Sequence, residues 1–484
     1  MSFDLHLYNT ATKKVEPVNP VVPGRLSMYL CGATVQGAAH IGHVRAAVGF
    51  DVLRRWVERS GLEVRYVRNI TDIDDKILAK SQEAGVPWWA WAARWERNFD
   101  ESYRLLGVLP PTFEPRATAH IIDQQQMIAR LMERGHAYAD GGGNVYFEVH
   151  SLPDYGSLTR QRLEDMQTTE DESQIDAATE AGKRDPRDFA LWKAAKPTEP
   201  ETASWESPWG RGRPGWHLEC SAMSRRYLGD EFDIHGGGID LRFPHHENEI
   251  AQSHGAGYEF ARIWMHNAWV TLKGDKMSKS LGNGLSVHEL VAQAGAPALR
   301  LALGTVHYRS TIEFDGETLE KAAALWERLS GFVTRAAEAA TQVAEAEGGL
   351  ATRELPAEFT AAMNDDLNLS RAMAAVHAAL KAGNTALNAG DVETAAERAL
   401  DLRAMLDVLG LDPLSEQWAG SRGEGAEDEA AEHALDVLVQ AALTERAQAR
   451  AEKDWSRADA LRDRLAEAGV VVEDSKDGAR WHLG

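Results

Sequence analysis

Ser27-Met28-Tyr29-Leu30-Cys31-Gly32 is an apolar run closed by a glycine, which predicts a buried strand ending in a turn. From Val44 the apolar positions Val44, Ala47, Val48, Val52, Trp56 and Val57 recur at helical spacing, and Ser60-Gly61 stops the run. His40-Ile41-Gly42-His43 therefore opens a helix that follows a strand. Leu62 to Ile70 alternates as a second strand. Further on the pattern changes: Glu164 to Glu180 is rich in charge, and Lys196 to Pro214 in proline, glycine and tryptophan. From about 316 to 410, alanine-rich helical periodicity broken at Gly348-Gly349, Pro356 and Gly390 predicts an antiparallel helical bundle. Ser415 to Glu429 reads as a Gly/Ser/acidic linker. Two helices, about Glu432 to Arg446 and Trp455 to Ala468, then precede Val470-Val471-Val472, a turn at Asp477-Gly478 and Arg480-Trp481-His482, a hairpin.

At 484 residues the chain exceeds one core, and three or four domains are expected. Met1 to Val18 is polar, and no stretch is long enough to span a bilayer, so a cytoplasmic enzyme is expected, with no membrane partner. The net charge of −22 runs against a broadly basic nucleic-acid surface, although a local basic face can coexist with an acidic average.

Two stretches carry candidate phosphate chemistry. At the start of the first helix, free backbone N–H groups and the positive end of the dipole favour an anion. His40 and His43 add donors there, and Gly42 permits close approach to the backbone. Lys276-Met277-Ser278-Lys279-Ser280, flanked by Gly274 and Gly282-Asn283, adds two cations on what reads as a flexible loop. Preorganised donors of this kind contribute about 3 kcal/mol each to a transition state. The bland alternative is a capping histidine pair and a solvated lysine loop.

The two cysteines are Cys31, on the strand end, and Cys220, in Trp216-His217-Leu218-Glu219-Cys220. A disulfide is not expected in a cytoplasmic chain. His245 and Glu249 form an i, i+4 pair in His245-His246-Glu247-Asn248-Glu249. Two thiolates, an imidazole and a carboxylate complete a tetrahedral zinc set. His246 and Glu247 are rival ligands on other faces, and a cysteine taken singly is more often a small core residue than a ligand. Asp72, Asp74 and Asp75 read as a solvated cap, and Gly236-Gly237-Gly238 as a tight turn unless a nucleotide approaches it.

The His40–His43 and Lys276–Ser280 stretches, in this order, resemble the two signatures of class I aminoacyl-tRNA synthetases. Cys31-Gly32-Ala33-Thr34, Asn69 to Lys76, Gly215 to Met223 and His235 through Glu249 resemble the cysteinyl-tRNA synthetase family over most of the first 320 residues. Ala33 departs from the proline many relatives carry there. The resemblance implies activation of L-cysteine with ATP to cysteinyl-adenylate, release of pyrophosphate, and transfer to tRNA(Cys). It implies one zinc per chain on Cys31, Cys220, His245 and Glu249, with Mg2+ accompanying ATP. Gly32, Thr34 and Thr71 would surround the amino acid and Trp216 would wall its pocket. Gly42, Gly237 and Gly238 would admit the nucleotide, Asp240 would accept from its ribose, and Val270 would line the adenine site. His40, His43, Lys276 and Lys279 would hold the phosphates and the leaving pyrophosphate. Zinc would answer a selectivity problem, since shape alone separates near-isosteres such as cysteine and serine by only about a hundredfold.

The expected architecture is α/β. A doubly wound, parallel-sheet (Rossmann-like) catalytic domain spans 1–125 and 216–265, with a connective insertion at 126–215. A junction domain at 266–315 carries the lysine loop. A helical bundle (316–410), a flexible acidic linker (411–429) and a mixed α/β anticodon-recognition module (430–484) follow, and the chain is expected to be a monomer. Two other readings compete. One is a ligase joining cysteine to an amino-sugar inositol, which needs no anticodon reader. The other is a non-catalytic paralogue, which has no use for a transition-state clamp.

Overall fold

A computed structural model describes residues 3–170, 177–272, 275–276, 285–345, 349–421, 439–475 and 478–483. The chain forms two compact units, Met1–Trp418 and Ala419–Gly484.

The first unit opens with a hairpin, β1 (His6–Asn9) and β2 (Lys14–Pro17), and continues into β3 (Arg25–Leu30), α1 (Ile41–Arg59) and β4 (Glu63–Arg68). Helices α2 (Asp75–Glu83) and α3 (Trp88–Leu105) follow. An insertion then contributes α4 (Ile121–Glu133), β5 (Ala137–Ala139), β6 (Val145–Phe147), the single turn α5 (Ala177–Glu180), β7 (Phe189–Ala194) and β8 (Gly212–Pro214). The chain returns through α6 (Trp216–Leu228), β9 (Glu231–Gly238), α7 (His245–Gly255) and β10 (Phe260–Asn267).

Strands β3, β4, β9 and β10 form one parallel sheet in the order β10-β9-β3-β4. Strand β4 lies on one side of β3 and β9 on the other, so the strand order reverses at the β3/β9 pair. Ligands in open parallel sheets bind at such a switch point, beyond the carboxyl ends of the strands. Met28, Tyr29 and Leu30 are all buried, as expected of a strand covered on both faces. In α1 the predicted stripe Val44, Ala47, Val48, Val52, Trp56 and Val57 is buried throughout, and His40 is the N-cap.

The insertion is not a surface loop excursion. Its antiparallel sheet β5-β6-β7-β8 builds a second core from Val145, Phe147, Phe189, Leu191 and Trp192 against Leu218 of α6 and Ala251 of α7. A buried ion network fastens it to the first domain. Asp75 accepts from Lys193 Nζ at 2.7 Å and from Arg213, whose other nitrogen reaches Glu199 at 2.6 Å. The solvated-cap reading of the acidic trio therefore fails. Asp72 and Asp74 are both buried, Asp72 accepting from Thr118 and Asp74 capping α2.

Next come β11 (Val270–Leu272), β12 (Asp275–Lys276), α8 (Val287–Ala294), α9 (Ala296–Gly304) and β13 (Ile312–Glu313), the strands pairing as β12-β11-β13. The bundle is α10 (Gly316–Ala339), α11 (Thr341–Glu345), α12 (Ala357–Asn364), α13 (Leu369–Asn388) and α14 (Val392–Val408). Arg300 of α9, fully buried, bonds Asp51 of α1 at 2.5 Å, Leu106 O beyond α3 at 2.8 Å and Leu409 O beyond α14 at 2.9 Å. The segment expected to open a flexible linker at 411 packs instead. Leu411, Asp412 and Trp418 are buried, Asp412 pairs with Arg403, and the indole of Trp418 donates to Gly410 O. An acidic average hid an aromatic anchor.

The second unit has a helix over 439–451, the helix Trp455–Glu467 and the hairpin β14 (Val470–Ser475) with β15 (Gly478–Leu483), around Val439, Leu443, Leu465 and Val470. The start of the first predicted helix and Asp477 of the predicted turn lie outside the described residues. Among its basic residues Arg446 is buried and Arg457 pairs with Glu445. Among the described residues no helix is long and apolar enough to cross a membrane.

Candidate active site and metal centre

Two dispersed cysteines meet at the carboxyl edge of the sheet. Cys31 leaves β3, its N–H bonded to Gly236 O on β9 at 3.0 Å, and Cys220 comes from the second turn of α6. Their sulfurs are 3.7 Å apart. The first two turns of α7 bring His245 and Glu249, at i and i+4. Glu249 Oε1 lies 3.3 Å from Cys31 Sγ and 3.2 Å from His245 Nε2. One donor atom from each of Cys31, Cys220, His245 and Glu249 falls within 4.8 Å of every other. This is the set the sequence suggested.

The surroundings preorganise it. His245 Nδ1 meets His217 Nδ1 at 3.0 Å, which leaves Nε2 facing the cluster, and the ring stacks on Trp216 at 4.2 Å. Burial holds both imidazoles near a pKa of about 3, so they are neutral, as a ligand must be. Burial also pushes both thiols up; the adjoining sulfur and Glu249 raise Cys31 further. Buried soft donors that repel each other's charge are what a divalent cation relieves, so the residues fit zinc.

A second set overlaps the first: Cys31, His235, His246 and Glu249. His235, on β9, holds Glu249 Oε2 at 2.8 Å. It was missed from sequence because a histidine in an apolar strand next to three glycines carries no spacing signal. His246, expected on another face, reaches this second set, with Nδ1 against His266 Nε2 at 2.8 Å. The other rival, Glu247, anchors the insertion by accepting from Gly156 N at 3.0 Å and Thr159 N at 2.9 Å.

Beside the thiols, Gly32 N–H donates to Asn69 Oδ1 at 2.8 Å, and Thr34 bridges Thr71 as adjoining parallel backbone. Thr71 Oγ1 donates to Glu219 Oε2 at 3.1 Å. Glu219, a second residue the sequence reading passed over, is fully buried; burial, then Asp74 and Asp72, raise its carboxyl well above the usual range. The glycines 236–238 are not a turn. They end β9, paired to Met265, His266 and Asn267, and a Cβ on Gly236 would stand 2.0 Å from the Phe50 ring. Gly238 approaches Asp240, which is exposed just past the strand, and Val270 is buried in β11.

At the start of α1, His40 Nδ1 accepts from Gly42 N at 3.2 Å and His43 Nδ1 accepts from His40 N at 3.2 Å, a reciprocal capping box. With both Nδ1 atoms accepting, the ring protons sit on Nε2, and each histidine is a donor there. His40 also bridges Ser286, a few residues beyond Lys279 in the chain. Lys276 has its backbone on β12; its side chain and the whole of Lys279 lie outside the described residues.

Residues 17–324 match the family of class I tRNA synthetase (C) catalytic domains, 358–413 the DALR domain and 432–481 the cysteinyl-tRNA ligase anticodon binding domain. The chain belongs to the cysteinyl-tRNA ligase family of class I aminoacyl-tRNA synthetases. The cysteine–tRNA ligase of Beutenbergia cavernae is 59% identical over 99% of each chain. That of Streptomyces avermitilis is 53% identical over 99% of each, and that of Micrococcus luteus 55% identical over 98% of this chain and 99% of the relative. Among solved structures, methionyl-tRNA synthetase of Mycobacterium tuberculosis with methionyl-adenylate superposes with a TM-score of 0.56 at 15% identity, over 82% of this chain and 92% of that one. A leucyl synthetase–tRNA complex from Agrobacterium radiobacter gives 0.56 at 13% identity, over 83% and 86%. These likenesses place the fold in class I.

Proposed function

We propose that this protein activates L-cysteine with ATP to cysteinyl-adenylate, releasing pyrophosphate, and passes the cysteinyl group to tRNA(Cys). The observation that carries the reading is the convergence of Cys31, Cys220, His245 and Glu249 at the sheet's switch point, together with the family match over both catalytic and anticodon-binding regions. These four residues would hold zinc in preference to the overlapping set, because only they include both thiols. The chemistry such an ion supplies is soft affinity for sulfur, which an alcohol cannot match.

The chain's own groups do the rest. Trp216, fixed by its stack on His245, walls the substrate pocket, and Gly32, Thr34 and Thr71 surround the amino acid. His40 and His43 donate through Nε2 to the phosphates of ATP, which brings its own Mg2+. Lys276 and Lys279 stabilise the departing pyrophosphate. Gly237, Gly238 and Asp240 lie along the nucleotide, Asp240 accepting from the ribose, and Val270 borders the base. A ligase with an amino-sugar acceptor would share this chemistry but has no need of a region matching an anticodon binding domain.

The test is charging of unfractionated tRNA with labelled cysteine and ATP. RNase-sensitive acylation is expected. Cysteine-dependent ATP–pyrophosphate exchange without any charging would keep the active site and transfer the acceptor role to a small amine.

A further inference from the structure

Arg45 is the second residue after His43, in the first turns of α1. It is only 2% exposed, and every bond it makes among the described residues goes to a backbone carbonyl. Nη1 donates to Ala268 O at 2.9 Å and Trp269 O at 2.6 Å; Nη2 donates to His307 O at 3.2 Å and to Ser310 O. Burial draws its pKa down to about 10, so the group remains a cation at neutral pH.

The four carbonyls belong to two separate segments. Residues 268–269 connect β10 to β11, and 307–310 run into β13. The segments are themselves stitched together, Ala268 N to Tyr308 O at 2.8 Å and Ile312 N to Trp269 O at 3.0 Å. Both feed the small sheet β12-β11-β13, in which Thr271 of β11 pairs with Lys276 of β12. A single planar guanidinium thus joins the helix that presents His40 and His43 to the sheet that presents Lys276. A lysine cannot span this arrangement, since its ammonium is a point donor and not a fork.

We infer that Arg45 is a positioning residue for the activation step, setting the Lys276 strand at a fixed offset from the His40–His43 turn. The inference rests on the role given above to Lys276. It also accounts for a buried cation with no carboxylate partner among the described residues, which is a costly choice for packing alone.

The experiment compares Arg45→Lys, Arg45→Met and Lys276→Ala, singly and as Arg45→Lys/Lys276→Ala, in the full-length zinc-loaded protein. Arg45→Lys retains the charge, so a folded variant is available even where Arg45→Met is not. The expected result is a loss of about a hundredfold in kcat for ATP–pyrophosphate exchange, the scale of a 1 Å misplacement. The KM for cysteine should stay within about twofold, because uniform binding is untouched. Transfer of cysteine from preformed adenylate to tRNA, which requires no pyrophosphate handling, should also hold. In the Lys276→Ala background the further loss from Arg45→Lys should shrink to about threefold or less, because coupled residues are non-additive. Losses that multiply in full, or equal losses in transfer and activation, would overturn the inference. Unchanged activation in Lys276→Ala alone would instead overturn the role of Lys276, a distinguishable outcome that removes the premise.

Discussion

Gly32 stands between the metal-facing Cys31 and the Thr34–Thr71 bridge, and its environment leaves no room for one methyl group. A Cβ there would lie 1.7 Å from Asn69 O and 2.8 Å from Asn69 C, both backbone atoms, whereas ordinary contact begins at 3.4 Å. Relief therefore requires the ends of β3 and β4 to part by well over 1 Å; no side-chain rotation suffices. The movement would break the Gly32 N–Asn69 Oδ1 bond of 2.8 Å and carry Cys31 away from a cluster held within 4.8 Å. Overpacking of this kind costs about 1–3 kcal/mol of stability. A 1 Å misplacement of a reacting or ligating group costs about a hundredfold in rate. Gly32→Ala should thus melt a few degrees lower, lose bound zinc on dialysis and lose about two orders of magnitude in ATP–pyrophosphate exchange. Gly316→Ala is the matched control, since a Cβ at this first residue of α10 meets nothing within 4 Å. A Gly32→Ala protein that keeps its metal and exchanges within about threefold of the parent would refute the reasoning.

Three further outcomes are expected. Asp75→Asn leaves Lys193 and Arg213 buried without their shared carboxylate and should cost about 3 kcal/mol, read as a lower denaturant midpoint. Burial alone would raise the Asp75 pKa, but Lys193 and Arg213 outweigh it and hold the carboxyl well below the usual range. Its contribution is therefore fully present above an unfolded pKa of about 3.9 and fades as pH falls below it, so the gap between parent and variant should narrow in acid. His43→Ala should reduce adenylate formation by about a hundredfold or more while costing only about 1 kcal/mol as a lost cap; a melt shift large enough to explain the rate would contradict the clamp role. Cys220→Ala should shed zinc, measured by elemental analysis, and lose its preference for cysteine over serine. Metal retained in Cys220→Ala but lost in His246→Ala would move the ion to the His235–His246 side.

What the sequence disclosed was what neighbours in the chain decide. The strand before Cys31, the helix after His40 and the i, i+4 relation of His245 to Glu249 follow from local periodicity, and the structure contains each of them. Convergence of Cys31 with Cys220 was legible only through donor chemistry and the family resemblance, because 189 residues separate them. The insertion's sheet was not visible at all: three of its strands are three residues long, too short for an alternation to register. Asp72, Asp74 and Asp75 looked solvated because the partners that satisfy Asp72 and Asp75 lie far along the chain. Trp418 looked like linker because composition averaged it with its acidic neighbours, while its docking depends on Gly107 and Trp326.

The bonds of Arg300 bear on how the first unit comes apart. One guanidinium is shared by α1, the end of α3 and the end of α14, so helices of the catalytic region and of the bundle hold a common buried charge. Excising the region matched by the catalytic-domain family at residue 324 would strip the Leu409 carbonyl from that charge and bare the bundle-facing side of α9. The catalytic region and the bundle, which lie in one compact unit, are therefore expected to unfold together in a denaturant titration, and the residues after Trp418, a second compact unit, separately.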